Sequence, residues 1–153
     1  APQRAASIPS PRPVEVTNES LLKAIETCPF PKLLKSERSA RDLLSKHLAK
    51  ILGREKITAN RAVGRHLPWK ADLDILEKFG IIIRLGRSVI GKKPSDTKNA
   101  QNLLGQVVLL AGAYGRGNLF IVFAGEIPKS QLPALGELRG WMESVGGRCV
   151  QRP

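Results

Sequence analysis

The sequence predicts an α+β protein: a basic, mainly helical N-terminal unit that closes on a β-hairpin, then a small sheet with one packed helix. Three observations lead there. Apolar residues recur at helical spacing between Ser39 and Gly53. In "FGIIIRLGR", Gly80 separates a helix-like pattern from a β-prone isoleucine run. The run "LFIVFAGEI" supplies aliphatic material for a buried sheet, in a chain where 42% of residues are hydrophobic and only 5% aromatic.

Taken in order, residues 1–17 read as an extended tail, with prolines at positions 2, 9, 11 and 13. A short helix follows, capped by Asn18 or Ser20, with Leu21, Leu22 and Ile25 on its apolar side; "CPFP" ends it. "SARD", Ser39 to Asp42, has the form of a capping box, and Ala40, Leu43, Leu44, Leu48, Ile51 and Leu52 then repeat at helical spacing up to Gly53. His47 falls beside that stripe and reads as a boundary or core histidine, because no second ligand lies near it in sequence. "ITANRAVGRHL" reads as another short helix over 58–67. Pro68 suits the start of a third, over 69–79, in which Leu73, Leu76 and Phe79 bury one face. Residues 81–85 and 88–92 form the hairpin.

"PSDTKN", residues 94–99, reads as a polar linker. "QVVLLAGAY" over 106–114 and "LFIVFAGEI" over 119–127 read as strands joined by a turn at "GRGN". Ser130 caps a last helix with Leu132, Leu135, Leu138, Met142 and Val145 on one face, where Gly136 and Gly140 let it approach the sheet closely. Gly146-Gly147 ends it, and "RCVQ" is a short third strand. The chain thus divides into a tail (1–17), a helical basic unit (18–93), a linker (94–99) and a small β-β-α-β unit (100–153).

Charge narrows the partner class. The chain carries 25 Lys and Arg against 13 Asp and Glu, net +12, and residues 35–93 alone carry 15 against 6, net +9. Such an excess attracts polyanions, nucleic acid first among them. No apolar run reaches the length of a membrane span. Cys28 and Cys149 lie far apart and form no metal-binding pattern; they read as two unpaired thiols in an intracellular, reducing compartment.

The order helix, helix, helix, hairpin over about 37–93 resembles a winged helix-turn-helix domain, and "LDILEKFGIIIRLGR" resembles the junction of its last helix with a basic wing. The resemblance implies a nucleic-acid-binding protein, with duplex DNA favoured over RNA. It implies phosphate contacts at Arg84, Arg87, Lys92 and Lys93 on the wing, and at Arg61, Arg65 and Lys70 on the helices. Asp72, Asp74 and Glu77 depart from that pattern, because acids facing a duplex would be repelled. Further on, Ala124-Gly125 and Gly146-Gly147 resemble the opening of a BRCT domain, which implies a phosphate cradle near Lys129 and Ser130. "AYGRGN" reads as a tight turn whose exposed Arg116 adds to the cationic surface.

No catalytic constellation, metal pattern or cofactor motif stands out, so the chain reads as a non-enzymatic protein. Asp72 and Asp74 would share a face on a strand, but the helical reading of 69–79 sets them apart. Trp69 and Trp141 read as core or boundary packing. Two alternatives to a DNA-binding protein stand beside it. One is an RNA-binding component of a ribonucleoprotein, such as a ribosomal or organellar ribosomal protein. The other is a protein-interaction or scaffold module using the C-terminal sheet.

Overall fold

The computed structural model describes residues 15–31, 34–63, 69–86 and 94–152. Their elements run α1 (Asn18–Glu26), α2 (Glu37–Leu52), β1 (Ile57–Ala62), β2 (Lys70–Ile75), β3 (Phe79–Leu85), α3 (Pro94–Tyr114), β4 (Leu119–Ala124), α4 (Leu132–Ser144) and β5 (Gly147–Arg152). The class is mixed α+β. The strands form one open sheet in the order β1-β2-β3-β4-β5. β1, β2 and β3 are antiparallel neighbours, while β3, β4 and β5 are parallel.

Period-two alternation splits the core into two layers. Leu73, Ile75, Ile81, Ile83, Phe120 and Val122 meet α1 and α2 on one face. Ile82, Leu119, Ile121 and Phe123 meet α3 and α4 on the other. Covered on both faces, β3 and β4 need near-continuous apolar sequence, which explains "GIIIRL" and "LFIVFA".

Several sequence expectations are corrected. The helix over 69–79 is instead β2, a turn and the start of β3. Lys70 to Ile75 alternates polar and apolar residues, a strand period, and that local pattern prevails over the wider spacing of Leu73, Leu76 and Phe79. Leu76 lies in the turn, 50% exposed and at φ +57°. The described part of 58–67 is strand β1, and 64–67 falls outside the described residues. The neighbours of β3 are β2 and β4, so 81–85 lies in the interior of the sheet; 88–92, expected as its hairpin partner, lies outside the described residues.

The linker and the strand expected over 94–99 and 106–114 are both parts of α3. Leu103, Val107, Leu110, Ala111 and Tyr114 are its buried stripe, and a run of 21 residues satisfies that spacing as a helix where the shorter apolar run alone could not decide. No linker therefore separates two units there, and one sheet takes strands from both sides of it.

The caps shift too. α1 is capped by Thr17, whose side chain accepts from the Ser20 N–H. α2 begins at Glu37 with Ser36 as its cap, three residues before the expected box. α4 starts after Gln131 without a side-chain cap, because Lys129–Gln131 forms a separate short turn of helix. On α4, a Cβ built on Gly136 or Gly140 would meet nothing within 4 Å, so these glycines lie on the open side, not against the sheet. Trp69 and Trp141 are exposed as well. Among the described residues no helix is long and apolar enough to cross a membrane.

Candidate nucleic-acid interface

The topology brings the ends of β1, β3 and β4 and the start of β2 to one end of the sheet. Ala62 pairs with Lys70, so the chain leaves β1 and enters β2 there. Leu85 at the end of β3 pairs with Ala124 at the end of β4. Because β2 runs antiparallel to β3, Lys70 lies at this same carboxyl end. Open α/β sheets bind ligands most often beyond the carboxyl ends of their parallel strands.

A polar cleft of about 440 Å³ opens at that end, lined by Glu37 from α2, Asp72 from β2, Arg84 from β3, and Asn99, Asn102, Leu103 and Gln106 from α3. Arg84 organises it. Its Nη1 donates to Asp72 Oδ2 at 3.0 Å and to the Ile83 carbonyl at 2.7 Å, and its Nη2 donates to Gln106 Oε1 at 2.7 Å. Asp72 Oδ2 also accepts the Ile83 N–H at 2.8 Å, and Gln106 Nε2 donates to the Lys70 carbonyl at 2.9 Å. One arginine thus ties β2, β3 and α3 together. Its charge is balanced by Asp72, so it presents little free cation to solvent.

Asp72 and Asp74 do share the α3 side of β2, as strand alternation requires, but Asp74 is only 2% exposed. Its Oδ1 accepts the Glu77 N–H at 2.9 Å and its Oδ2 accepts the Tyr114 hydroxyl at 2.5 Å. Arg61 Nε lies 3.8 Å from the same oxygen, and Arg61 Nη2 lies 2.7 Å from Glu77 Oε1. That hydrogen bond to Glu77 comes first among the causes that raise the Arg61 pKa. Burial, then the hydrogen bond to Asp74, raises the Tyr114 pKa. Asp72 and Asp74, which looked hostile to a polyanion, are therefore turned inward and paired, while Glu77 stays exposed but is paired with Arg61. Among the described residues no three His, Cys, Asp or Glu side chains converge as metal ligands.

The eight basic residues singled out from sequence separate. Lys70 is exposed beside the cleft, and Arg84 lies half-buried within it. Arg61 is engaged by acids from β2 and the β2–β3 turn. Arg116, in the turn before β4, sits at the opposite end of the sheet, where its Nη1 donates to the Ser144 carbonyl at 3.4 Å. Arg65, Arg87, Lys92 and Lys93 lie outside the described residues. Lys129 and Ser130 are exposed in the short turn that follows β4. Sequence reasoning passed over Lys35, Arg38 and Lys98, which are exposed and flank the cleft residues Glu37 and Asn99 along the chain. For Lys98 the signal exists only once 94–99 is helix.

The two cysteines are free and buried. Burial pushes the Cys28 thiol up to about 11 and the Cys149 thiol up to about 12. His47 is a boundary residue whose Nε2 lies 3.0 Å from Thr27 Oγ1. Comparison with protein-family models, with curated proteins and with solved structures finds no match for this chain.

Proposed function

We propose that this is a non-enzymatic nucleic-acid-binding protein that holds duplex DNA through phosphate contacts at the carboxyl end of its central strands. The observation that carries the reading is the net +9 of residues 35–93, the stretch whose strand ends Ala62, Lys70 and Leu85 lie at that end. Lys70, with Lys35, Arg38 and Lys98 near cleft residues along the chain, provides exposed cations whose binding to phosphate would release condensed counterions. Arg65, Arg87, Lys92 and Lys93 belong to the same proposal on charge alone. The pairing of Asp72 with Arg84 and of Asp74 with Arg61 supports it too, since these counter-charges offset the repulsion those acids would exert.

The test is fluorescence anisotropy with duplex DNA, duplex RNA and single strands at roughly 50 and 200 mM salt. Duplex DNA should bind most tightly, with log K falling linearly in log salt. Preferential binding of duplex RNA would move the protein to the ribonucleoprotein reading. No binding at the lower salt would overturn both.

A further inference from the structure

The sheet has two edges, and they differ. On β1, Asn60 takes a left-handed φ of +52° and is missing from the pairing with β2, so that edge is interrupted. β5 is regular: all six residues from Gly147 to Arg152 pair with β4. Among the described residues no strand lies beyond it. The Arg152 carbonyl accepts from Gly125, on the β4 side. Alternation therefore turns the backbone groups of Cys149 and Gln151 outward. The Cys149 carbonyl accepts from Arg139 Nη2 at 3.2 Å. The edge lies in a groove of about 710 Å³ between α1 and α4.

We propose that this edge takes an extended acidic segment of another protein as a sixth strand. The inference is independent of the nucleic-acid reading, and concerns a different part of the molecule. Backbone geometry supplies the binding mode, because an open edge is a template for strand addition, with side-chain pockets giving the specificity. Charge supplies the chemistry of the partner. Among the described residues Lys23 and Glu26 line the groove from α1, Arg139 from α4 and Arg152 from β5, so cations outnumber acids there. Arg139 is shared with Glu143 in an exposed pair that an arriving carboxylate can replace. Arg152 Nη2 donates to the Cys28 carbonyl, whereas its Nε is buried with no hydrogen-bond partner.

The other occupants fit less well. A second copy pairing antiparallel about Val150 would set Cys149 opposite Gln151 and Arg148 opposite Arg152, and one pairing about Cys149, with Gly147 opposite Gln151, would bring no acid to the groove's cations. Like charges directly opposite one another destabilise a strand pair. A nucleic-acid backbone offers acceptors alone, whereas the edge alternates donors with acceptors and suits a polypeptide.

The test uses the full chain and a peptide of about ten residues that alternates valine and glutamate. Backbone amides are followed by NMR and hydrogen exchange. At saturation the exchange of the Cys149 and Gln151 amides should slow about tenfold or more. A valine–lysine peptide should not bind, nor should the acidic peptide N-methylated at alternate amides. Gln151→Pro removes an outward donor at an edge position that tolerates proline, and should abolish binding. Should that variant misfold, Lys23→Glu with Arg139→Glu reverses two charges of the groove, also freeing the Cys149 carbonyl, and should shift preference to the lysine peptide. Binding of the N-methylated peptide as tightly as the parent would overturn strand addition. A dimer of the free protein that protects the same amides would give the edge to a second copy, and displacement of the peptide by an oligothymidylate would give it to nucleic acid; each overturns the proposal, as does failure of the acidic peptide to protect the edge.

Discussion

The Tyr114 hydroxyl donates a 2.5 Å hydrogen bond to Asp74 Oδ2, joining residues 40 apart in the chain at a point nearly closed to solvent. It fastens the end of α3 to the strand that carries the polar side of the cleft. Tyr114→Phe would leave a buried carboxylate short of a donor, and should cost about 1–3 kcal/mol in urea unfolding. Asp74→Asn should lose less in a Tyr114→Phe background than in the parent. A double-mutant cycle should then return a coupling of about 0.5–3 kcal/mol. Simple additivity would mean that Glu77 and Arg61 satisfy Asp74 unaided.

The same tyrosine dictates the residue at position 80. A Cβ built on Gly80 would press into the Tyr114 ring, 2.8 Å from Cδ2 and 2.9 Å from Cζ. Gly80→Ala should therefore cost about 1–3 kcal/mol through overpacking. Tyr114→Phe should not relieve it, since the clash is with ring carbons and not with the hydroxyl. The glycine that looks like a helix stop in the sequence is instead a place where the α3 side chain meets the sheet backbone.

Such a contact marks the boundary between what residues alone disclose and what they do not. Ile81–Ile83 and "LFIVFA" are legible as strands, because a run that is apolar on both faces and rich in β-branched residues has few other uses. α1, α2 and α4 follow from their apolar spacing. β2 is hidden because Leu73, Leu76 and Phe79 fall at helical spacing by coincidence, while the two aspartates on its polar side are satisfied by partners that include groups 11 and 40 residues away. Nothing local to Asp74 reveals Tyr114. The cleft is illegible for the same reason: Glu37, Asp72, Arg84 and Gln106 come from four elements, and Asp72 and Gln106 take their places only when β2 and α3 have their true form.

Leu76 is the residue whose role changes most between helix and turn. In a helix it would be core; here it is 50% exposed in a turn where it and Glu77 have φ of +57° and +58°. Leu76→Ala should cost under about 1 kcal/mol, not the roughly 2–5 kcal/mol of a buried leucine. Leu76→Asn should raise stability by about 0.5–1 kcal/mol, because asparagine tolerates the left-handed region that a branched apolar side chain resists. Thermal unfolding of the two variants decides between turn and core.

Stability should fall on the alkaline side. Cys28 and Cys149 have folded-state pKa values raised from 9.0 to about 11 and about 12, and Tyr114 is raised as well. In each case the unfolded chain loses its proton first as pH rises. The stabilisation is thus complete below about pH 9, and each thiol removes about 1.4 kcal/mol per pH unit between its unfolded and folded pKa. Urea midpoints measured from about pH 8 to about pH 11 should decline, and Cys28→Ala with Cys149→Ala should flatten the first part of that decline. An unchanged pH profile in the double variant would mean that the thiols are open to solvent.

Arg84 and Lys70 should separate structure from binding. Both are cations at the same end of the sheet, but Arg84 commits its guanidinium to Asp72, the Ile83 carbonyl and Gln106, whereas Lys70 is exposed. Arg84→Ala leaves Asp72 with the Ile83 N–H but without its counter-charge, and should cost about 1–3 kcal/mol of stability, reduced from the value for a fully buried pair because both side chains are about one-fifth exposed. Its duplex binding, measured well below the thermal midpoint, should keep the parent's salt dependence, because a charge already neutralised by Asp72 displaces few counterions. Arg84→Lys should recover part of the stability and no more, since an ammonium cannot reach three divergent acceptors as a planar fork does. Lys70→Ala should do the opposite. Its melting curve should barely move, while the slope of log K against log salt should fall by about 0.9, the loss of one phosphate contact on B-form DNA. If instead Arg84→Ala flattens the slope and Lys70→Ala leaves it unchanged, the phosphate contacts come from inside the cleft, and the Asp72–Arg84 pair must open for the duplex to bind.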